Sequence, residues 1–515
     1  MYVKTFGSAL NGVEAITLTI EVDVNNQGKH YYIVGLPDNA VKESLQRVES
    51  AIKSLDLYMP RTKLVINLAP ADIKKSGTAL DLPIAIGTLA ATEQIKQPEE
   101  IAHYVIMGEL SLDGELRPIH GALPMALQAQ KEGFAGMIIT EENASEAALV
   151  EGFPVYGVKH LQEVIDFFSG RQKPQPVTVD IKAAFEEKGD FYDFDFADVK
   201  GQENIKRALE VAAAGGHNVI LIGPPGAGKT MLAKRIPSIL PPLSLKEALE
   251  TTKIYSVSGK LTNHSGLITR RPFRNPHHSI SNAGLVGGGG HPQPGEISLA
   301  HNGVLFLDEL PEFQRTVLEV MRQPMEERKV TISRAKSTIE FPAGFMLIAS
   351  MNPCPCGFFN HPEKECSCIQ GAVQKYLNKV SGPLLDRIDL HVEVTPVPFQ
   401  ELSKDHITEK SKTIRERVIS AREIQKERFH KTDIYCNAQM SHKQLNKVCH
   451  LPEEGRKLLK TSMDKLNLSA RAYDRILKVS RTIADLDNAE NIEIEHLAEA
   501  IQYRSLDRET WFGSE

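Results

Sequence analysis

Apolar and polar positions divide the chain into regions of different secondary structure. The first region predicts short strands at 15–20, 31–34 and 64–68, mixed with helical patterns. From about residue 196, apolar runs at 219–222, 304–307 and 345–349 predict buried strands that alternate with helical segments, and such alternation is typical of an α/β domain. Beyond about residue 400 the strand signals fade, and apolar residues recur at helical spacing.

These patterns give a domain organisation of four segments. We expect an α+β domain over 1–172 and a linker over 173–195, where prolines and charged residues dominate. An α/β domain follows over 196–396, and an all-helical region over 397–515 completes the chain. The fold class is therefore α/β, preceded by an α+β domain.

A glycine-rich turn follows the strand predicted at 219–222, and a helical run over 231–235 follows the turn. The turn fits the pattern G-x-x-x-x-G-K-[ST]. Glycines let backbone N–H groups surround phosphate oxygens, and the helix N-terminus adds partial positive charge. We expect this phosphate loop to hold ATP, with Lys229 on the β- and γ-phosphates and Thr230 on Mg²⁺. Its residues are Gly223, Pro224, Pro225, Gly226, Ala227, Gly228, Lys229 and Thr230.

Two acidic residues follow the apolar run 304–307. A buried strand delivers the residues at its carboxyl end to the edge of the sheet where ligands bind. We expect Asp308 to bind Mg²⁺, directly or through water, and Glu309 to act as the general base that polarises the attacking water. An acidic pair is weak evidence by itself, but together with a phosphate loop it predicts ATP hydrolysis.

Composition narrows the class of protein. The 515 residues are 41% hydrophobic and 24% charged, as in ordinary globular proteins, and suggest about three domains. The net charge of -6 gives no global basic signature, so a nucleic-acid contact must be local. No stretch approaches the roughly 18 apolar residues of a membrane span, and the N-terminus lacks an apolar signal core. We therefore expect a cytoplasmic protein without a membrane partner.

Most of the six cysteines crowd into residues 354–368. They form two Cys-x-Cys pairs, Cys354, Cys356, Cys366 and Cys368. Thiolates favour Zn²⁺ in tetrahedral sites, and a cysteine cluster in a cytosolic protein points to metal rather than to disulfides. The two-residue gap of common zinc ribbons is missing, so free thiols and redox use stay open beside structural zinc. The cluster directly follows Asn352, so folding it around a metal would set the position of that side chain.

The two nucleotide motifs resemble those of AAA+ ATPases. Residues 195–202 resemble the segment that packs near adenine in that class, and residues 271–279, 352–357 and 384–389 are similar to magnesium-chelatase-like ATPases of the ComM/YifB family. The resemblance covers essentially the whole chain. It implies an AAA+ core with an all-helical C-terminal lid, and a bacterial hexameric ring motor on DNA. Such motors drive branch migration of recombination intermediates in natural transformation.

The resemblance also implies roles for three further side chains. Asn352 matches the first sensor, a polar group between the acids and the γ-phosphate, although a strand-end asparagine also caps turns. Arg387 matches the arginine finger, which acts on a neighbouring subunit's nucleotide and so requires an oligomer; a salt bridge with a flanking aspartate is the alternative. Arg471 matches the second sensor on the lid, with Arg475 as the competing candidate.

The distance from Thr230 to Asp308 is long for a strand–helix–strand unit and predicts an insertion. We place the insertion around 270–274 and 287–290. In this AAA+ clade such a hairpin points into the ring channel, and so does a second one, expected here at 327–336. Cations on these hairpins would bind phosphates without reading sequence, although solvated charged hairpins are the alternative. The candidate DNA-binding residues are Arg270, Arg271, Arg274, Lys329, Arg334 and Lys336.

The N-terminal region resembles the proteolytic domain of Lon proteases in its segments 77–85 and 107–119. Those enzymes use a serine nucleophile with a lysine base. Here the serine position holds Thr78 and the lysine position holds Leu123, which cannot accept a proton. We expect a Lon-like fold without protease chemistry, used for assembly, DNA or partner contacts. If the alignment is shifted by a residue or two, Lys74 or Lys75 could serve as the base, so protease activity stays open as an alternative.

Three functions compete at this point. The first is an ATP-driven motor on single-stranded or branched DNA, with ATP, Mg²⁺ and structural zinc as cofactors. Its partners would be DNA, five further copies of the chain and recombination proteins. The second is a chelatase-like motor that remodels a protein or enzyme partner, which the Lon-like domain and the cysteine cluster disfavour. The third is an ATP-dependent protease, which Leu123 opposes.

Overall fold

The computed structural model describes residues 1–504, except 26–27, 29, 189–191, 262–265, 291, 335–336, 360, 362, 370, 398–407, 433 and 467. Within these residues the chain forms an N-terminal domain around a mixed sheet, a central domain around a parallel sheet, and a C-terminal region of helices. Among the described helices, none combines the length and the apolar content that crossing a membrane requires.

The N-terminal domain contains a sheet of seven strands within the described residues. Antiparallel pairing joins its long strands, while the strands at both sides pair in parallel. The strand order is Tyr31–Val34, Lys63–Ala69, Glu14–Asn25, Tyr2–Asn11, Tyr104–Ile106, Gly136–Thr140 and Val155–Val158. A small hairpin joins Glu109–Leu110 and Leu116–Arg117. The helices are Asn39–Ser54, Asp81–Ala91, Ala122–Lys131, Glu141–Ala147 and Leu161–Phe168. The strands predicted in this region are therefore present.

The central domain contains a parallel sheet of five strands within the described residues. Its order is Phe273–Arg274, Val304–Leu307, Met346–Met351, Val219–Ile222 and Leu390–Glu393. Its three inner strands are fully buried, as expected when helices cover both faces of a parallel sheet. The helices of this domain are Glu203–Gly215, Lys229–Arg235, Leu245–Val257, Asn282–Val286, Glu296–Leu299, Arg315–Glu319, Arg322–Glu327, Ala372–Leu377 and Gly382–Leu385. The α/β architecture predicted from the sequence is confirmed.

This domain also contains two small hairpins. One pairs Gly287–Gly288 with Gln293–Pro294, and the other pairs Lys329–Arg334 with Ser337–Pro342. The insertion predicted around 270–274 was misplaced, because Phe273–Arg274 is an edge strand of the main sheet. A strand of two residues is too short for periodicity to reveal it.

Among its described residues, from 408 to 504, the C-terminal region contains helices and no strands. Its helices are Ser411–Arg428, His442–Val448, Glu453–Leu466, Ala470–Leu486 and Ile494–Gln502. The helix Ala470–Leu486 packs against Glu203–Gly215, and apolar residues of the two regions form one buried cluster. Short 3₁₀ helices occur at Pro98–His103, Phe196–Asp198, Ile236–Ser238, Leu310–Glu312 and Asn437–Gln439.

Buried polar contacts reinforce this junction between the central domain and the C-terminal helices. Arg475 Nη1 donates to Asp389 Oδ1 at 2.8 Å, and the Asp389 side chain is 1% exposed. The ring of His217 lies 2.8 Å from the Thr482 hydroxyl. Paired charges and satisfied hydrogen bonds are required here, because burial of an unpartnered polar group is strongly unfavourable.

The N-terminal domain packs against the helix Leu245–Val257. Ser256 donates a hydrogen bond to the buried carboxyl of Glu146, which also accepts from the backbone of Leu123. Burial raises the pKa of Glu146 above its ordinary value. The segment predicted as a linker contains a further helix, Ile181–Lys188. These elements tie the first domain to the second.

Candidate active site

The phosphate loop runs from a buried strand, Val219–Ile222, into the helix Lys229–Arg235. Gly228 precedes that helix with a φ of +89°, a conformation that glycine adopts without strain. At Gly223 a Cβ would lie 2.2 Å from the carbonyl oxygen of Val394, so only glycine lets the neighbouring strand approach this closely. The chain therefore turns sharply at the carboxyl edge of the sheet, where helix N–H groups are free to meet an anion.

The Lys229 ammonium is folded back over the phosphate loop. Its Nζ donates to the carbonyl oxygens of Gly223 at 2.7 Å and Pro224 at 2.9 Å, and to Oδ1 of Asn352 at 3.1 Å. Burial lowers the pKa of Lys229, while the nearby Asp308 raises it. The structure thus brings the loop lysine and the first-sensor candidate into direct contact.

Asp308 joins the loop to the adjacent strand. Thr230 Oγ1 donates to Asp308 Oδ2 at 2.8 Å, which is the pairing expected of two ligands of one Mg²⁺. The Ser350 hydroxyl donates to the other carboxylate oxygen. Sequence analysis missed Ser350, which lies inside an apolar strand two positions before Asn352. The hydroxyl and carboxylate groups needed to hold Mg²⁺ therefore lie together.

Glu309 occupies a left-handed backbone position with a φ of 54°. Its backbone N–H donates to Asp308 Oδ1 at 3.1 Å and to Ser350 Oγ at 3.3 Å, which fixes this unusual turn. The carboxylate points into solvent with 58% of the side chain exposed, and His278 Nδ1 lies 3.9 Å from its Oε2. The His278 ring stacks on His277 at 4.0 Å between centroids. His278 is a neighbour of the candidate base that sequence analysis did not identify.

The segment 195–202 lies beside the phosphate loop, as its predicted adenine-side role requires. Gln202 donates to the carbonyl oxygens of Ala227 at 3.0 Å and Thr395 at 3.1 Å. Arg235, on the helix after the loop, donates to the carbonyl of Asp195 at 2.7 Å. These bonds join the start of the central domain to both sides of the candidate nucleotide site.

Arg387 and Arg471 lie in different surroundings. Arg387 is 8% exposed, and its Nη2 lies 2.8 Å from Glu326 Oε1; the flanking residues Asp386 and Asp389 are not its described partners. Arg471 is exposed on its helix, whereas the competing candidate Arg475 is paired with Asp389. The structure describes one chain, so the trans role of Arg387 stays a prediction, and so does the sensor role of Arg471.

The candidate DNA-binding residues that the structure describes lie in different surroundings. Arg271 and Arg274 form internal ion pairs with Glu247 at 3.1 Å and with Glu296 at 2.6 Å, an arrangement that argues against contacts with DNA. The Arg270 guanidinium lies 5.8 Å from the centre of the Tyr192 ring. On the second hairpin Lys329 is 45% exposed and lies 2.8 Å from Glu340. The Arg334 side chain and the whole of Lys336 lie outside the described residues.

The four clustered cysteines converge, as sequence analysis expected of metal ligands. Their sulfur atoms all lie within 4.8 Å of one another. The Cys354 sulfur lies 3.3 Å from that of Cys356 and 3.7 Å from that of Cys366. The backbone N–H of Phe359 donates to Cys354 at 3.3 Å, a contact that stabilises a thiolate. This set of donors fits Zn²⁺, which prefers four tetrahedral sulfur ligands.

The residues at the positions of a Lon catalytic dyad do not pair. Leu123 is completely buried in the N-terminal core, and the Thr78 hydroxyl donates to Glu109. Lys75 is buried, with its ammonium donating to the carbonyl of Pro70. Among the described residues, no lysine amine is hydrogen bonded to Thr78, so the geometry favours a domain without this protease chemistry.

Comparisons with known proteins cover all three regions of the chain. The family model for magnesium chelatase, subunit ChlI, matches residues 195–402. A second model, for subunit ChlI of Mg-chelatase, matches 20–143, and a third, for the C-terminal part of that subunit, matches 408–504. The matches coincide with the N-terminal domain, the parallel sheet and the C-terminal helices.

Similar proteins match over nearly the whole length. The chain is 44% identical over 505 residues to Competence protein ComM of Haemophilus influenzae, with 98% of this chain and 97% of that protein covered. It is also 44% identical over 504 residues to the uncharacterized protein YifB of Escherichia coli, with 96% of each covered. Lon protease 2 of Bacillus subtilis is 29% identical over 240 residues, with 43% of this chain and 39% of that protein covered. The chain therefore belongs to the ComM/YifB family of magnesium-chelatase-like AAA+ proteins.

Proposed function

We propose that this protein hydrolyses ATP and uses the energy as a hexameric ring motor on DNA, promoting branch migration of recombination intermediates. The convergence of Lys229, Thr230, Asp308, Glu309 and Asn352 at one edge of a parallel sheet carries the proposal. Side-chain hydrogen bonds connect Lys229 to Asn352 and Thr230 to Asp308, and the backbone N–H of Glu309 donates to Asp308.

The roles of the chain's own groups follow from this geometry. The backbone N–H groups of the loop and the Lys229 ammonium would bind the phosphates, once Lys229 exchanges its carbonyl partners for phosphate oxygens. Thr230 and Asp308 would hold Mg²⁺, which supplies charge neutralisation when bound. Glu309, exposed and held by its backbone bonds, would take a proton from the attacking water, and Asn352 would orient that water or the γ-phosphate.

A ring assembly would complete this site. Arg387 is proposed to stabilise charge on the nucleotide of a neighbouring chain, which requires its pair with Glu326 to open. The neighbour then supplies a negative phosphate in place of the carboxylate, so the buried guanidinium keeps a charged partner. Arg471, on the lid surface, is proposed to reach nucleotide from the C-terminal side.

The role on DNA rests on two kinds of support. The relative from Haemophilus influenzae is named a competence protein, and that name supports a role with DNA for this chain. The exposed Lys329 lies on a hairpin of the central domain, where a cation would contact backbone phosphates without sequence preference. The cofactors of the proposed motor are ATP and Mg²⁺, with Zn²⁺ at the four cysteines.

ATP hydrolysis by the purified chain, without DNA and with single strands, duplex or a four-way junction, tests the proposal at low and at moderate salt. Stimulation by single strands or junctions that weakens with salt is the expected result, because phosphate contacts release counterions. If no DNA changes the rate of ATP hydrolysis at either salt concentration, the proposal of a DNA motor is contradicted. Size measurement with and without nucleotide, with the Arg387→Ala variant alongside, tests the ring.

A partner-remodelling ATPase is the second candidate, because the family models that match are named for a magnesium chelatase subunit. This function keeps the same ATP site and differs in what the motor acts on. DNA-independent ATPase activity that rises on adding a protein partner favours it over the DNA motor.

A further inference from the structure

The cysteine cluster lies directly against the phosphate loop. Gly357 follows Cys356 with a φ of +85°, and a Cβ built on it would lie 2.4 Å from Cδ of Pro225. Pro225 is the third residue of the phosphate loop. The turn that carries two of the thiols therefore touches the loop closely enough to leave no room for a methyl group.

A short segment of backbone also connects the cysteine cluster to the nucleotide site. Asn352 lies two residues before Cys354 and accepts a hydrogen bond from the phosphate-loop lysine, Lys229, at 3.1 Å. Cys354 is fully buried, so its position is fixed by the core of the domain. The cysteine loop is therefore joined to the nucleotide site in two ways, by the Pro225 contact and by the backbone that leads to Asn352.

The sulfur positions match one tetrahedral metal ion. With a Zn–S bond of about 2.3 Å, the edge of a tetrahedron is about 3.8 Å. The described distances are 3.3, 3.7 and 3.5 Å among Cys354, Cys356 and Cys366, and Cys368 completes the set. A disulfide needs sulfurs about 2.05 Å apart, so no described pair has formed one. Four thiols this close also repel one another once ionised, which a divalent cation relieves.

We propose that Cys354, Cys356, Cys366 and Cys368 hold a Zn²⁺ ion that braces the phosphate loop, so that nucleotide affinity depends on the metal. The described residues of the loop 352–368 contain no helix or strand, and metal–thiolate bonds supply the ordering free energy that such a loop lacks. Loss of the metal releases Gly357 from Pro225 and lets the phosphate loop sample conformations that do not bind nucleotide. The inference rests on the proposed ATP site.

Metal content and nucleotide affinity together test the proposal. Elemental analysis of the full chain should find stoichiometric zinc, and its absence overturns the metal site. A fluorescent ADP analogue should bind about tenfold more weakly after a thiol-reactive mercurial and chelator remove the zinc, and thiol reduction with added Zn²⁺ should restore binding. Equal affinity with and without zinc overturns the coupling. If the zinc-loaded chain fails to bind the analogue at all, the ATP site has failed and not the metal site.

A single substitution tests the contact between Gly357 and Pro225 separately from metal binding. Gly357→Ala keeps all four thiols but places a Cβ against Pro225 in a left-handed backbone position. We expect zinc content to stay stoichiometric while affinity for the analogue falls about tenfold. Cys449→Ala, which alters a buried cysteine outside the cluster, serves as the control and should keep both properties. Unchanged affinity in Gly357→Ala overturns the Pro225 contact as the route of coupling.

Discussion

Asp389→Asn is expected to destabilise the junction between the central domain and the C-terminal helices. The wild-type carboxylate accepts hydrogen bonds from Nη1 of Arg475 at 2.8 Å and from the backbone N–H of Asn218 at 2.9 Å. Nδ1 of His217 lies 3.6 Å from its Oδ2. Asparagine has the same shape and still accepts one hydrogen bond, but it leaves the Arg475 guanidinium, 19% exposed, without its counter-charge. Breaking a buried pair on one side lowers the free energy of unfolding by about 3 kcal/mol.

Thermal unfolding followed by circular dichroism measures this loss. For domains of this size, about 3 kcal/mol corresponds to a midpoint roughly 6–10 °C lower. Asp386→Asn is the matched control, because Asp386 is half-buried and has no ion pair among the described residues. Its midpoint should stay within about 1 °C of wild type.

The pH dependence of the difference gives a sharper check. Burial alone would raise the pKa of Asp389, but Arg475 and His217 hold that pKa far below its ordinary value of 3.8. A lowered pKa in the folded state stabilises the wild type above the unfolded pKa, and this stabilisation is lost as pH falls further. The gap between wild type and Asp389→Asn should therefore be constant near neutral pH and shrink below about pH 4. A gap that is absent at pH 7, or that persists unchanged in acid, would refute the ion-pair argument.

Four further changes have defined outcomes. Lys229→Ala should abolish tight nucleotide binding, and normal turnover would contradict the site assignment. Glu309→Gln should bind ATP normally but hydrolyse it about 100-fold or more slowly, which single-turnover assays measure; retained hydrolysis would remove Glu309 as the base. His278→Ala should lower the rate of ATP hydrolysis more than the affinity for ATP, because it removes the imidazole 3.9 Å from the Glu309 carboxylate, and an unchanged rate would contradict a role for His278 at the candidate base. Because burial raises the pKa of Glu146, ionising its carboxyl costs more in the folded state than in the unfolded state, and wild-type stability should fall as pH rises above about 4.5. Glu146→Gln cannot ionise, so its free energy of unfolding, measured by denaturant titrations at about pH 5 and about pH 8, should fall less between these pH values than that of the wild type.

The nucleotide site was largely predictable because its residues belong to contiguous motifs. The loop 223–230 fixes its own geometry through glycine positions, and Asp308 and Glu309 follow a strand whose burial is evident from four apolar residues. The cysteine cluster was predictable for the same reason, because proximity in sequence limits how far the sulfurs can separate. What these motifs share is that local chain geometry decides where the side chains lie.

Partners that come from distant parts of the chain were not predictable. Ser350 is a single polar residue among apolar neighbours inside a strand, and nothing in its local pattern marks it as a hydrogen-bond donor to Asp308. Glu326 pairs with Arg387 across 61 positions of sequence, whereas the sequence offered only the adjacent aspartates as partners. The edge strand Phe273–Arg274 has two residues, so only pairing with its neighbour defines it. Tertiary pairing, and not local preference, decides each of these cases.

The apolar cluster shared by the sheet and the C-terminal helices has a consequence for dissection of the molecule. The helix Glu203–Gly215 contacts both the strand Leu390–Glu393 and the helix Ala470–Leu486, so both of its faces are covered by parts of the chain far apart in sequence. A fragment cut near residue 400 would bare one of these faces to water, and it should aggregate instead of behaving as a minimal ATPase. The sequence divides the central domain from the C-terminal helices, but the two share one apolar core and therefore form one folding unit.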